Sequence, residues 1–147
     1  MRTIFVYGTM RRGWLRHDAL GNNPRLVGVG TVPGVLLDLG AFPGLVEGEG
    51  RVFGEVYSIA DARIPLLDRI EGVHAGMYER REVLVALAVG GHRTAEAYFF
   101  CEEPRFYSQG VIASGDWVEY KTGRAAEDAL PEPDEDFPRE EPDDDPF

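Results

Sequence analysis

From Thr3 to Cys101 the chain consists of short β-rich runs cut by glycine, and only one segment carries a helical period. No other feature restricts the fold as strongly. Eighteen glycines in 147 residues forbid long uninterrupted helices. The β-branched and aromatic residues between them suit a pleated, half-buried surface. Thr3–Tyr7 reads as a first strand that stops at Gly8, and Thr9–Gly13 reads as a loop. Trp14–Leu20 reads as one or two helical turns closed by Gly21-Asn22-Asn23-Pro24. Leu26–Leu39, broken by glycines and Pro33, reads as strand with a bend or bulge, and Gly40–Gly44 as a turn. Arg51–Ile59 alternates Val52, Gly54 and Val56 against Phe53, Glu55 and Tyr57, the period of a strand. Met77–Val89 and Thr94–Cys101 form two more strands around a Gly90-Gly91 hairpin signal.

The helical segment follows Asp61, the expected cap. Ile64, Leu67 and Ile70 recur on one face, Pro65 fits only the first turn, and Gly72 ends the run. Strands that do not alternate with helices argue against a doubly wound parallel sheet. The expected fold is therefore α+β. It has a curved mixed sheet of about six strands closing into a small β-barrel, with one main helix.

Charge separates the chain into two parts. The net charge is −11, but Ala125–Phe147 hold eleven of the 26 carboxylates and one of the 15 cations. The remainder is nearly neutral, which argues against nucleic acid as a partner. Pro131–Phe147 contain five prolines and no glycine. Such a segment buries too little apolar surface to offset its ordering entropy. The reading is one globular domain over residues 1–121 and an acidic, proline-rich tail, extended or disordered, over 122–147. No apolar run is long enough to cross a bilayer, and the N-terminus is interrupted too soon for a signal peptide. A lone cysteine supports no disulfide framework, so a cytoplasmic location is expected.

Several chemistries find no pattern here. His17, His74 and His92 are scattered, with no metal-ligand spacing, and are expected as solvated or hydrogen-bonded surface residues. None of the serines lies in a nucleophile-elbow motif, and the glycines match neither a dinucleotide nor a P-loop pattern. Cys101, beside Phe99 and Phe100, is expected as a structural thiol. Arg11 and Arg12 are expected on a solvated face. Two segments remain. Tyr7-Gly8-Thr9-Met10 runs from a strand into a tight turn, where successive backbone N–H groups can form a concave anion site. Leu67-Asp68-Arg69-Ile70-Glu71-Gly72 places a carboxylate at a helix end, and Met77-Tyr78 then enters a strand.

These segments resemble the γ-glutamyl cyclotransferase-like superfamily, in particular its γ-glutamylamine cyclotransferase and avirulence-induced-gene-like branch. The Tyr-Gly-Thr-Met loop, the Leu-Asp-Arg-Ile-Glu-Gly segment, Phe42-Pro43-Gly44 and Gly115-Asp116-Trp117 occur in the family's order between about Thr3 and Tyr120. The resemblance implies closure of a γ-glutamyl compound into 5-oxoproline with release of an amine, and no cofactor or metal. Glu71 matches the family's general acid/base. Tyr7, Gly8, Thr9 and Met10 match its substrate loop, Tyr78 falls where the family keeps a tyrosine, and Tyr98 and Tyr107 align with two further pocket tyrosines. Trp117 is expected to be buried and Asp116 to cap. A domain that kept the fold and pocket as a binding or regulatory module, without turnover, stands as the alternative.

Overall fold

The computed structural model describes residues 1–101 and 108–123. The chain gives β1 (Arg2–Val6), β2 (Arg25–Asp38), β3 (Pro43–Ile59), α1 (Ile64–Ile70), β4 (Tyr78–Leu87), β5 (His92–Phe100) and α2 (Trp117–Thr122). Short 3-10 turns lie at His17–Leu20, Asp61–Arg63 and Val73–Ala75. The strands close into a barrel in the order β1-β3-β2-β4-β5. The β1/β3, β3/β2, β2/β4 and β4/β5 pairings are antiparallel, while β5 meets β1 and β3 in parallel at Glu96 and Phe99.

Five strands replace the expected six or so because two of them are long. β3 starts at Pro43, eight residues before the alternating run that marks it in the sequence, and spans 17 residues against β2. β2 stays continuous across Pro33 because its irregularities fall at Leu26/Gly28 and Pro33/Val35, where the register shifts. The main helix is also shorter than expected. Asp61–Arg63 form a 3-10 turn, and Asp61 makes no side-chain cap but pairs with the N-terminal ammonium at 2.9 Å. Residues Trp14–Leu20 yield only the 3-10 turn His17–Leu20.

The two-residue period of the strands sorts apolar side chains into two cores. Phe5, Tyr7, Val52, Val56, Val85, Ala95, Ala97 and Phe99 pack together with Trp117. Their immediate neighbours Ile4, Val6, Tyr57, Ile59, Tyr98 and Phe100 pack on the opposite side against Ile64 and Leu67 of α1 and Leu20. So α1 lies on one face of the barrel wall, held by side chains that are almost wholly buried. Cys101 follows β5 and is exposed, contrary to its expected structural role, since the strand ends at Phe100. No helix among the described residues is long and apolar enough to cross a membrane. Most of the expected acidic tail, residues 124–147, lies outside the described residues.

Candidate active site

Glu71 owes its position to the end of α1. Leu67 is fully buried and anchors the last turn, and the Glu71 amide donates to the Leu67 carbonyl at 2.9 Å. Gly72 then adopts the left-handed conformation, at φ 69°, which a side chain would resist. The chain folds back at once, with Met77 N–H donating to the Gly72 carbonyl at 3.0 Å. This tight reversal keeps the Glu71 carboxyl at the barrel wall, partly buried.

There it lines a cavity of about 200 Å³. The same cavity is lined by Tyr7, Gly8, Thr9, Met10, Tyr78 and Tyr98, together with Phe42, Pro43 and Arg16. Seven of the eight site residues named from the sequence thus meet around one space, although they come from four separate segments. Tyr107 lies outside the described residues. Among the described residues, the amides of Gly8, Thr9 and Met10 donate to no backbone carbonyl. The turn itself is closed by Arg11 N–H donating to the Gly8 carbonyl at 3.0 Å. A methyl on Gly8 would come within 2.7 Å of the Pro43 ring, so this position has no room for a side chain.

The tyrosines are braced by their own hydroxyls. Tyr7 donates to the Tyr98 carbonyl at 2.7 Å and accepts from Leu45 N–H at 3.2 Å. Tyr78 donates to the Pro43 carbonyl at 2.8 Å. Tyr98 donates to Asp68 at 2.7 Å, and Asp68 takes a two-pronged contact from Arg80 at 3.0 and 3.1 Å. All three hydroxyls therefore hold walls in place, and burial raises the pKa of each. Arg80 in turn reaches Glu96 at 2.9 Å, which ties α1 to β4 and β5.

Electrostatically the cavity contains one unusual carboxyl. Burial pushes the Glu71 pKa from 4.5 up to about 7, against the opposing field of the Arg16 guanidinium. A group that exchanges its proton near neutrality, inside a concave site, is suited to general acid–base work.

Sequence reasoning missed the residues that hold the Tyr7–Met10 turn from behind. Arg11 is 1 % exposed rather than solvated. Its Nε donates to Glu55 Oε2 and its Nη1 to Asp116 Oδ1, both at 3.0 Å. Glu55 also accepts from Arg12 N–H and from the Tyr57 hydroxyl, each at 2.8 Å. Asp116 does cap α2, accepting from Val118 and Glu119 N–H, as expected, but its larger connection is to this cluster. The available signal was Glu55, a carboxylate inside an apolar strand, which calls for a buried cation. Nothing in the sequence marked Arg16.

A family model described as gamma-glutamyl cyclotransferase, AIG2-like, matches residues 4–119. A protein of Vibrio cholerae, provisionally named a gamma-glutamylcyclotransferase, is 39% identical over 117 residues, which is 79% of this chain and 95% of that one. The gamma-L-glutamyl-butirosin B gamma-glutamyl cyclotransferase of Niallia circulans is 30% identical over 98 residues, 63% of either chain. Among solved structures, an uncharacterized protein of Pyrococcus horikoshii superposes with a TM-score of 0.65 at 28% identity, over 84% of this chain and 95% of that one. An AIG2-like protein of Mus musculus shares the fold, with a TM-score of 0.69 at 23% identity over 80% and 88%.

Proposed function

Because the chain belongs to the gamma-glutamyl cyclotransferase, AIG2-like family, we propose that its cavity binds a γ-glutamylamine or related small γ-glutamyl compound and cyclises it to 5-oxoproline, with Glu71 as general acid and base. The observation that carries this reading is the shared cavity. Glu71, whose pKa is raised, and the Gly8–Met10 turn line one space, which is the combination the reaction needs.

The substrate's α-ammonium gives a proton to the Glu71 carboxylate. The freed amine attacks the γ-carbonyl carbon of the same molecule, forming the ring C–N bond, and the carbonyl oxygen becomes an oxyanion. On this reading the backbone N–H groups of the Gly8–Met10 turn, which lines the cavity, stabilise that charge. When the tetrahedral centre collapses, the bond to the leaving nitrogen breaks and Glu71 returns its proton to that nitrogen. The ring nitrogen gives up its second proton, so that 5-oxoproline is neutral at nitrogen and the released amine departs as an ammonium. A proton affinity near 7 suits both halves of the transfer. Because the attack is intramolecular, the remaining task is to hold the folded conformer. The braced tyrosine walls and the short Gly8–Pro43 approach support that role.

The test is 5-oxoproline release from γ-glutamyl-ε-lysine, simple γ-glutamyl amino acids and glutathione, wild type beside Glu71→Gln. We expect release from at least one substrate and a loss of about 10²- to 10⁴-fold in the variant, with the fold retained. No release from any substrate by folded wild type would overturn catalysis and leave a binding pocket.

A further inference from the structure

Arg16 is the cation of this cavity, and the proposed chemistry leaves it without a task. Its backbone is fixed, with Arg16 N–H donating to the Thr9 carbonyl at 2.8 Å and the Arg16 carbonyl accepting from Ala19 N–H at 3.0 Å. Its side chain is exposed, lines the cavity, and forms no ion pair or hydrogen bond with another described residue. A guanidinium that lines a site and makes no hydrogen bond to the protein there offers a fork suited to a carboxylate.

The size of the cavity indicates which end of a ligand Arg16 meets. About 200 Å³ is below the roughly 300–1,000 Å³ that takes up a whole drug-sized ligand. The reacting glutamyl half has to enter, because its amine must reach the partly buried Glu71. The departing half then lies toward the exposed rim, where Arg16 stands. The Arg16 charge lowers the proton affinity of both Glu71 and Tyr78, so its field extends over the reacting end as well.

We propose that Arg16 selects the leaving group, so that the site prefers γ-glutamyl compounds whose released amine carries a carboxylate, such as γ-glutamyl amino acids, over those whose released part is neutral or cationic. This inference rests on the cyclotransferase reading for its substrates, but not for its test. The carboxylate of the departing amino acid pairs with the guanidinium, whereas the ammonium of a departing diamine faces it unfavourably. Both effects are partly screened at an exposed rim, so the discrimination is modest.

The experiment compares a matched pair, γ-glutamyl-alanine and γ-glutamyl-alaninamide, which differ only in the charge on the leaving half. The proteins are wild type, Arg16→Gln and Arg16→Glu, and both kcat/KM for 5-oxoproline release and Kd by calorimetric titration are read. Wild type should favour the acid about twofold to fivefold. Arg16→Gln should bring the ratio near one, and Arg16→Glu should reverse it. Raised ionic strength should shrink the wild-type preference. An unchanged ratio in Arg16→Gln overturns the inference. So does an equal loss for both compounds, because that would place Arg16 on the glutamyl half. If wild type releases no 5-oxoproline, the cyclotransferase reading fails separately. The Kd ratio then decides: a preference for the acid that Arg16→Gln abolishes sustains the role of Arg16, and equal binding of the pair overturns it.

Discussion

At the scale of single residues, Glu71 combines function with a stability cost. Its folded-state pKa of about 7 lies above the ordinary 4.5 because burial disfavours the charge. Between those values the folded chain holds a proton that the unfolded chain has released. Stability contributed by this group is therefore full below about pH 4.5 and is lost as pH rises through about 7. Glu71→Gln should thus melt at nearly the wild-type temperature in acid and above it at pH 8, with the gap opening between pH 4.5 and 7. A melting series across that range checks the sign. Activity should run the other way, with an acid limb in kcat/KM near pH 7 because the base must be ionised. Arg16→Gln should move that limb upward, since the Arg16 charge opposes the shift. Gly8 makes a steric prediction. Gly8→Ala pushes a methyl toward the Pro43 ring at 2.7 Å, and should displace the cavity wall and cost about 1–3 kcal/mol by denaturant unfolding, with a larger fractional loss of turnover.

The loop after β1 depends on one buried charge cluster. Of residues 8–16, six are glycine, threonine or arginine, and only Met10 and Trp14 pack against the cores, so apolar packing alone does not fix the segment. Arg11, Glu55 and Asp116 do so from beneath, each at most 2 % exposed. Removing Arg11 leaves Glu55 and Asp116 buried without the guanidinium that pairs them. Arg11→Met should cost about 3–5 kcal/mol, read as a fall in the denaturant midpoint with an unchanged slope. It should also lower kcat/KM through disorder of the turn while leaving the acid limb near pH 7 in place, because Glu71 is held by a different element. An unaltered midpoint would show that the cluster does not anchor the loop. The same cluster explains why Gly115-Asp116-Trp117 accompanies the Tyr-Gly-Thr-Met loop. Asp116 joins α2 to Arg11, and Trp117 enters the core containing Phe5 and Tyr7.

Across the whole molecule, barrel closure is uneven. β4 and β5 share nine register pairs, but β2 and β4 share only Gly30↔Leu87 and Thr31↔Ala86. This narrow seam requires close backbone approach. A Cβ on Gly30 would collide with the Ala86 carbonyl oxygen and crowd Val85 at 2.8 Å. Gly30→Val should therefore separate the seam and lower the melting temperature by ten degrees or more. Gly90→Ala, in the open β4–β5 turn, meets nothing within 4 Å and tests conformational strain alone, at φ 109°. A smaller effect at Gly30 than at Gly90 would contradict the steric account of closure.

The sequence by itself determined that the chain is mainly strands closing into a barrel, the main helix ending at Gly72, the hairpin at Gly90-Gly91 and the family segments carrying Tyr7–Met10, Glu71 and Tyr78. These are local matters, set by side-chain period, glycine placement and short motifs. The extent of β2 and β3 was not legible, because a long strand that twists through bulges loses its period where the register shifts. Nor was the fate of Arg11, because adjacent arginines look alike until Glu55, 44 residues away, is brought beneath one of them. Only the tertiary structure placed Arg16 on the rim of the Glu71 cavity and raised the Glu71 pKa. Both follow from surroundings assembled across the barrel, and desolvation and electric fields act through space rather than along the chain.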